Sequence, residues 1–135
     1  MPNSKQKGKR RELELAAKLR AYGFPDVRRS VQYCGTAGDA DLVGIDGIHI
    51  ECKGVEELDI KTAMQQAYRD SKCNEYPAVF HKQNRRPWMV TMIVPDIAEM
   101  YNFWSANVIK KHPPDHPLAT MSLDDWVKMY KAVAG

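Results

Sequence analysis

The stretch Ile48-His49-Ile50-Glu51-Cys52-Lys53 decides how this chain is expected to fold. Apolar and polar residues alternate along it, which is typical of a strand with one buried face. Glu51 and Lys53 therefore lie on one face of the strand together with His49, and the alternate residues point into the core. A carboxylate and an ammonium group side by side on a rigid strand can bind a divalent metal and contact a phosphate.

A second apolar segment, which starts at Asp41 ten residues before Glu51, predicts a neighbouring strand. Asp46 and Gly47 separate the two segments and predict a hairpin turn. A three-residue loop that ends at a left-handed Gly47, or a bulge near Gly44 with the same effect, places Asp41 opposite Glu51. A two-residue turn would instead put Asp41 on the wrong face. We predict the first arrangement, which brings two carboxylates together beside a lysine.

The rest of the pattern predicts further helices and strands around this hairpin. Residues 1–7 are expected to be frayed, and the proline-rich residues 110–117 are expected to form a loop. The predicted helices are Gly8–Tyr22 (ended by Gly23), a helix capped by Asp59 that runs to about Lys72, Pro95 to about Val108, and a last helix opened by Ser122. The predicted strands are Val27–Tyr33, Asp41–Ile45, Ile48–Lys53, Ala78–His81 and Trp88–Val94. This order predicts an α/β fold of one domain, residues 1–135.

Composition limits the class of protein. The chain has 135 residues, of which 44% are hydrophobic, enough for one core. Its three cysteines form no paired motif, so no disulfide framework is expected and a reducing compartment fits. The apolar runs are too short for a membrane span, and no signal peptide is recognisable. We therefore expect a soluble, intracellular, cytoplasmic protein with no membrane partner.

Positive charge is concentrated in three places, although the net charge is only +3. Such basic clusters suit the phosphate backbone of nucleic acid, and a solvated surface is the alternative explanation for any one of them. The candidate DNA-binding residues are Lys7, Lys9, Arg10, Arg11, Arg28, Arg29, Lys82, Arg85 and Arg86.

Several motifs together resemble the PD-(D/E)XK nuclease superfamily, and within it the Holliday-junction-resolvase-like group. They lie within about residues 7–94 and read Lys7-Gly8, Glu12-Leu13-Glu14-Leu15, Tyr22-Gly23-Phe24, Val27-Arg28-Arg29, Asp41-Leu42-Val43 and Ile50-Glu51-Cys52-Lys53. The resemblance implies a restriction-endonuclease-like core (αβββαβ) at about 7–94. It implies a mixed central sheet flanked by helices, and leaves a C-terminal helical extension at about 95–135.

The resemblance also implies a set of metal ligands. Asp41 and Glu51 correspond to the family's metal-binding acids, and the carbonyl of Cys52 is a further ligand in many members. Glu12, on the first helix, corresponds to the family's helix glutamate. Glu14 is the alternative, since it lies on the same helix.

Other site residues follow from the same resemblance. Lys53 corresponds to the catalytic lysine. The glutamine of the following helix is Gln66 or Gln65, and we prefer Gln66. The proline of the family name is replaced by Ala40, and Asp39 is a competing acid next to it.

A Mg²⁺- or Mn²⁺-dependent endodeoxyribonuclease with no small-molecule cofactor is what the resemblance implies. Its substrate would be a Holliday junction or other branched DNA of recombination and repair, and it would act as a homodimer. Cleavage of linear or single-stranded DNA and a catalytically inactive DNA-binding homologue are the alternatives. The number of metal ions stays open, and a phage-encoded or bacterial protein is compatible with the resemblance.

Overall fold

A six-stranded mixed sheet forms the centre of the protein. The computed structural model describes residues 4–30, 40–54, 56–103 and 111–134. Strands β3 and β4 pair in parallel, and every other pair of neighbours is antiparallel. The strands are adjacent in chain order, namely β1 Arg28–Arg29, β2 Leu42–Val43, β3 Ile48–Lys53, β4 Tyr76–His81, β5 Met89–Ile93 and β6 Leu118–Ser122.

Four helices accompany the sheet: α1 Ser4–Ala21, α2 Ile60–Asp70, α3 Val94–Phe103 and α4 Leu123–Ala134. The order of α1, β1 to β3, α2 and β4 is the predicted αβββαβ order, and the predicted α/β class is confirmed. No described helix has the length and apolar character that a membrane span requires.

Apolar residues pack on both faces of the sheet. On one face, side chains from α1, α3 and α4 join alternate residues of β3 to β5 in the larger cluster, which includes Leu15, Ile50, Phe80, Met100 and Trp126. On the other face, α2 packs through Ala63, Met64 and Ala67 on Val79 and Ile93. Residues of β3 thus alternate between the larger core and the face that α2 covers.

Helix α1 differs from its prediction at the start and agrees at the end. It begins at Ser4 and not at Gly8, so the described residues before Gly8 are helical and the predicted fraying there is wrong. The long basic side chains of this segment are good helix formers, which explains the earlier start. Gly23 has φ +106° and ends the helix as predicted, with the Phe24 amide donating to the Leu19 carbonyl.

The hairpin between β2 and β3 has the predicted three-residue loop. Leu42 pairs with Ile50, so residues 45–47 form the loop and Asp41 lies across from Glu51. Gly47 has φ +78°, and the Ile48 amide donates to the Ile45 carbonyl at 3.3 Å. The geometric condition for bringing the two acids together is therefore met.

Strands β1 and β2 are shorter than predicted. Only Arg28–Arg29 of the first predicted strand is extended among the described residues, and Tyr33 and the predicted loop at 34–38 lie outside them. The second strand is Leu42–Val43 because Gly44, with φ +116°, leaves the extended conformation. The pairing of the two strands is correspondingly limited to two residues each.

The sequence analysis did not predict strand β6, and the predicted helical extension at about 95–135 is corrected accordingly. Leu118–Ser122 pairs with β5 along five residues, so the segment after Pro95 is not purely helical. This strand follows a proline-rich loop, and four of its five residues are half-buried without the alternation that marks a strand, which weakens its local signal. Ser122 then caps α4, since its Oγ accepts a hydrogen bond from the Asp125 amide at 3.1 Å.

The remaining boundaries shift by two residues or fewer, and Asp59 caps α2 as predicted, accepting from the Thr62 amide at 3.2 Å. The predicted end of α3 near Val108 lies outside the described residues.

We expect Gly44→Ala to destabilise the protein by about 1–3 kcal/mol, because a left-handed conformation disfavours a side chain. A Cβ at Gly44 would also collide with the backbone of Asp26 and Val27. Gly8→Ala is the matched control, since nothing lies within 4 Å of a Cβ there. That change, inside α1, should stabilise by about 0.5–1 kcal/mol. Urea unfolding measures both, and equal effects would contradict the assigned turn.

Candidate active site

Two carboxylates face each other where β2 meets β3. Asp41 immediately precedes β2, and its Oδ2 accepts a hydrogen bond from the Cys52 amide at 2.8 Å. Glu51, on β3, is 2% exposed. Burial, then the negative charge of Glu51 and more weakly that of Glu12, raise the pKa of Asp41 to about 7, against its ordinary 3.8. The two acids therefore repel each other when both are ionised.

A histidine lies behind Glu51, away from Asp41 along the strand. The Nε2 atom of His49 is 2.7 Å from Oε1 of Glu51, and its Nδ1 is 3.7 Å from Oε1 of Glu75. Burial alone would lower the pKa of His49, but these two carboxylates outweigh it and raise the pKa to about 9. His49 thus supplies positive charge beside the acids.

Glu12 reaches the same region from α1. With Lys7, Asp41, Cys52 and Lys53 it lines a cavity of about 270 Å³ that also includes two glycines. The Oε1 atom of Glu12 accepts a hydrogen bond from Nε of Arg29 at 2.9 Å.

The side chain of Glu14 bonds other residues of the protein and is not among those that line this cavity. Its carboxylate accepts hydrogen bonds from Nζ of Lys82 at 2.9 Å, the indole of Trp88 at 3.2 Å and the guanidinium of Arg11 at 3.0 Å. Partial burial would raise the pKa of Glu14, but these donors lower it. Of the two helix glutamates, Glu12 is the one that lines the cavity with Asp41.

Lys53 lies two residues beyond Glu51 on the same strand face. Its Nζ donates to Oε1 of Gln66, on α2, at 3.4 Å. Gln65 is exposed and lines a different cavity. The geometry thus places the preferred glutamine, Gln66, next to the lysine.

The acids could hold a cation as a pair. No cluster of three or more acid, histidine or cysteine side chains suited to a metal occurs within residues 4–30, 40–54, 56–103 and 111–134. Mg²⁺ nevertheless needs only one or two protein carboxylates, since water and phosphate complete its shell. Asp41 and Glu51 supply hard oxygen donors whose repulsion a cation would relieve. Glu12, bonded to Arg29, adds charge to this pair.

Several of the predicted DNA-binding bases have partners within the protein. Arg11 and Lys82 bind Glu14, Arg29 binds Glu12, and Arg28 donates to the Asp26 carbonyl at 2.9 Å. Four of the predicted bases are exposed, namely Lys9, Arg10, Arg85 and Arg86. Lys82 and Arg86 also line a second cavity of about 460 Å³.

The sequence prediction missed Glu75. Alternation along β3 put His49 on the polar face, but nothing in the local pattern links it to an acid 26 residues later. Asp39, the acid that competed with Asp41, lies outside the described residues.

The chain was compared with family models, with curated proteins and with solved structures. No family model and no curated protein matches the chain. A solved structure of Hjc from Archaeoglobus fulgidus, described as a Holliday junction resolvase from an archaeal hyperthermophile, is similar with a TM-score of 0.46 and 17% identity. The match covers 93% of this chain and 93% of that one.

The free energy of unfolding of Asp41→Asn, relative to that of the natural protein, should increase as pH rises from about 4 to 7 in the presence of a chelator. Because the folded pKa of Asp41, about 7, is above the ordinary 3.8, its contribution to stability is present below pH 4 and lost as pH rises through 7. Asn cannot ionise but can still accept the Cys52 hydrogen bond. Urea unfolding at several pH values measures the difference.

The control for this prediction is Asp46→Asn, which changes an exposed acid in the same hairpin loop. A stability difference between Asp41→Asn and the natural protein that stays constant across this pH range would show that Asp41 is not held against Glu51.

Proposed function

We propose that the protein is a metal-dependent DNA endonuclease that hydrolyses phosphodiester bonds and selects Holliday junctions or other branched DNA. The observation that carries this proposal is the placement of Asp41 opposite Glu51, with Lys53 on the same strand face two residues further on. Two acids and an amine in this arrangement have the chemistry that phosphate hydrolysis requires.

Asp41 and Glu51 are the main proposed cation ligands. The carboxylate of Glu12 and the backbone carbonyl of Cys52 are the further proposed ligands. Mg²⁺ or Mn²⁺ held there would supply an activated water and neutralise charge on the phosphate. The Cys52 amide fixes Oδ2 of Asp41, which orients that carboxylate before any ligand arrives. These residues thus present oxygen donors with little rearrangement.

Lys53 is the proposed catalytic lysine. Its ammonium would contact the scissile phosphate and stabilise the negative charge that develops there. Gln66 accepts a hydrogen bond from Nζ, which restricts where this long side chain can point. We assign Gln66 the role of orienting Lys53.

Basic side chains around the cavity would bind the DNA backbone and contribute affinity without reading sequence. The exposed bases Lys9, Arg10, Arg85 and Arg86 suit this role without loss of an internal partner, whereas Arg11, Arg29 and Lys82 would have to share theirs.

Branched DNA and a homodimer form the finer part of the proposal. The motif resemblance to the resolvase-like group supports both. A four-way junction is close to two-fold symmetric and is resolved by two matched nicks, so a symmetric dimer with two sites fits it.

Purified protein should make paired, symmetric nicks in a labelled four-way junction with Mg²⁺ and none with a chelator, because hydrolysis requires the cation. A linear duplex of matched sequence is the control and should stay intact. Equal cutting of the duplex would replace branched DNA by linear DNA as the substrate. Binding to the junction without any cutting would overturn the nuclease proposal and leave a DNA-binding protein.

Two substitutions test the site itself. Glu51→Gln should abolish cleavage while binding to the junction persists, because a cation ligand is lost and the basic surface is kept. Lys53→Ala should slow single-turnover cleavage by ~10²-fold or more, since transition-state charge loses its partner.

Adjacent glutamines provide a matched pair for the Lys53 result. Gln66→Ala should slow cleavage by a smaller factor than Lys53→Ala, and Gln65→Ala should leave cleavage at the natural rate. The reason is that Gln66 bonds Lys53, whereas Gln65 lines a different cavity. Natural rates in both Glu51→Gln and Lys53→Ala would remove this site as the catalytic centre.

A further inference from the structure

A row of polar side chains, two of them buried and the third half-buried, leads away from the proposed cation ligand. Glu51 and His49 share one face of β3 and are 2% and 1% exposed. The 2.7 Å contact from Nε2 of His49 to Oε1 of Glu51 takes up one of that carboxylate's two oxygens. Glu75 follows on the far side of the imidazole, 3.7 Å from Nδ1. The mechanism above uses Glu51 and neither of the other two.

Glu75 is itself fixed by the backbone. Its Oε1 accepts a hydrogen bond from the Lys72 amide at 3.0 Å, and its own amide donates to the Lys72 carbonyl at 3.1 Å. Glu75 lies just before β4, the central strand that pairs in parallel with β3 along six residues. The far end of the row is therefore anchored in a tight turn at the start of a central strand.

A structural contribution alone does not readily account for this row. Buried ion pairs are often no more stabilising than apolar side chains of the same size, because both charges lose their hydration. Val79, which is the partner of Glu51 on β4, is apolar. What the row adds is a defined orientation for the carboxylate of Glu51, because the imidazole that bonds it lies between two carboxylates.

We propose that His49 is a positioning residue, whose Nε2–H holds the carboxylate of Glu51 in the orientation that lets it bind a cation together with Asp41, and that Glu75 holds the imidazole in turn. Hydrogen bonds to the outer side of a ligand typically set metal affinity in this way. The inference rests on the proposed function, since it takes Asp41 and Glu51 as the ligands.

The affinity for Mn²⁺, titrated calorimetrically without DNA, tests the inference independently of turnover. His49→Leu should weaken Mn²⁺ binding by about tenfold or more, the lower end of what such substitutions cost. His49→Gln keeps a side-chain N–H that can reach Glu51 and should recover most of the loss. Glu75→Gln should weaken binding by a smaller factor. Junction binding measured with a chelator should be the same in all three.

His81→Leu is the control, because His81 is a half-buried histidine on the adjacent strand whose Nε2 bonds Thr91 and not Glu51. It should bind Mn²⁺ like the natural protein. Thermal unfolding without metal confirms that each variant is folded. If His49→Leu does not fold, His49→Gln and Glu75→Gln decide the matter, since both keep polar groups in the row.

If His49→Leu folds and binds Mn²⁺ with the affinity of the natural protein, the inference is overturned. If Glu75→Gln is the only variant that folds, natural Mn²⁺ affinity in that variant overturns it. A loss in His49→Gln as large as in His49→Leu would also overturn it, because the hydrogen bond would then not be the cause. If the natural protein binds no Mn²⁺ and cuts no DNA, the proposed function has failed. If it does both and the variants match it, only the role of His49 has failed.

Discussion

The close approach of two carboxylates, one buried and one half-buried, is the constraint on which the rest of this structure depends. Burial, and after it the negative charge of Glu51, raises the pKa of Asp41, so keeping both carboxylates ionised costs free energy. The Cys52 amide on one side and His49 on the other offset part of this cost. The remainder must be met by the packing of the apolar core, because nothing else in folding contributes as much.

Backbone geometry makes the approach unavoidable once the sheet has formed. The three-residue loop fixes the register of β2 on β3, and a shift of one residue would turn one acid to the other face. Gly44 and Gly47 permit that loop through positive φ angles. The core holds the register in turn, since a slip would move Ile50 out of the larger core and turn a charged neighbour into it.

Local rules therefore predicted the centre of the molecule well. The alternation of apolar and polar residues predicted both ends of β3 correctly, and the residues of the turn predicted that Asp41 lies opposite Glu51. Pairings between distant residues were beyond the same rules. β6 forms because β5 offers it an edge, and the ion pair of Lys82 with Glu14 joins residues 68 apart. The charge clusters predicted a basic surface but could not show which bases are already neutralised inside the protein.

The choice between Glu12 and Glu14, which the sequence left open, is made by the helix itself. Residues two apart on an α-helix point in nearly opposite directions, about 200° around the axis, so only one of them can face Asp41. Glu14 is drawn to Lys82 and Trp88 at the β4–β5 connection, and Glu12 is thereby turned to the cavity. Helix α1 thus carries both Glu14, which bonds the β4–β5 connection, and Glu12, which lines the cavity. The position of Glu12 depends on the bonds that Glu14 makes.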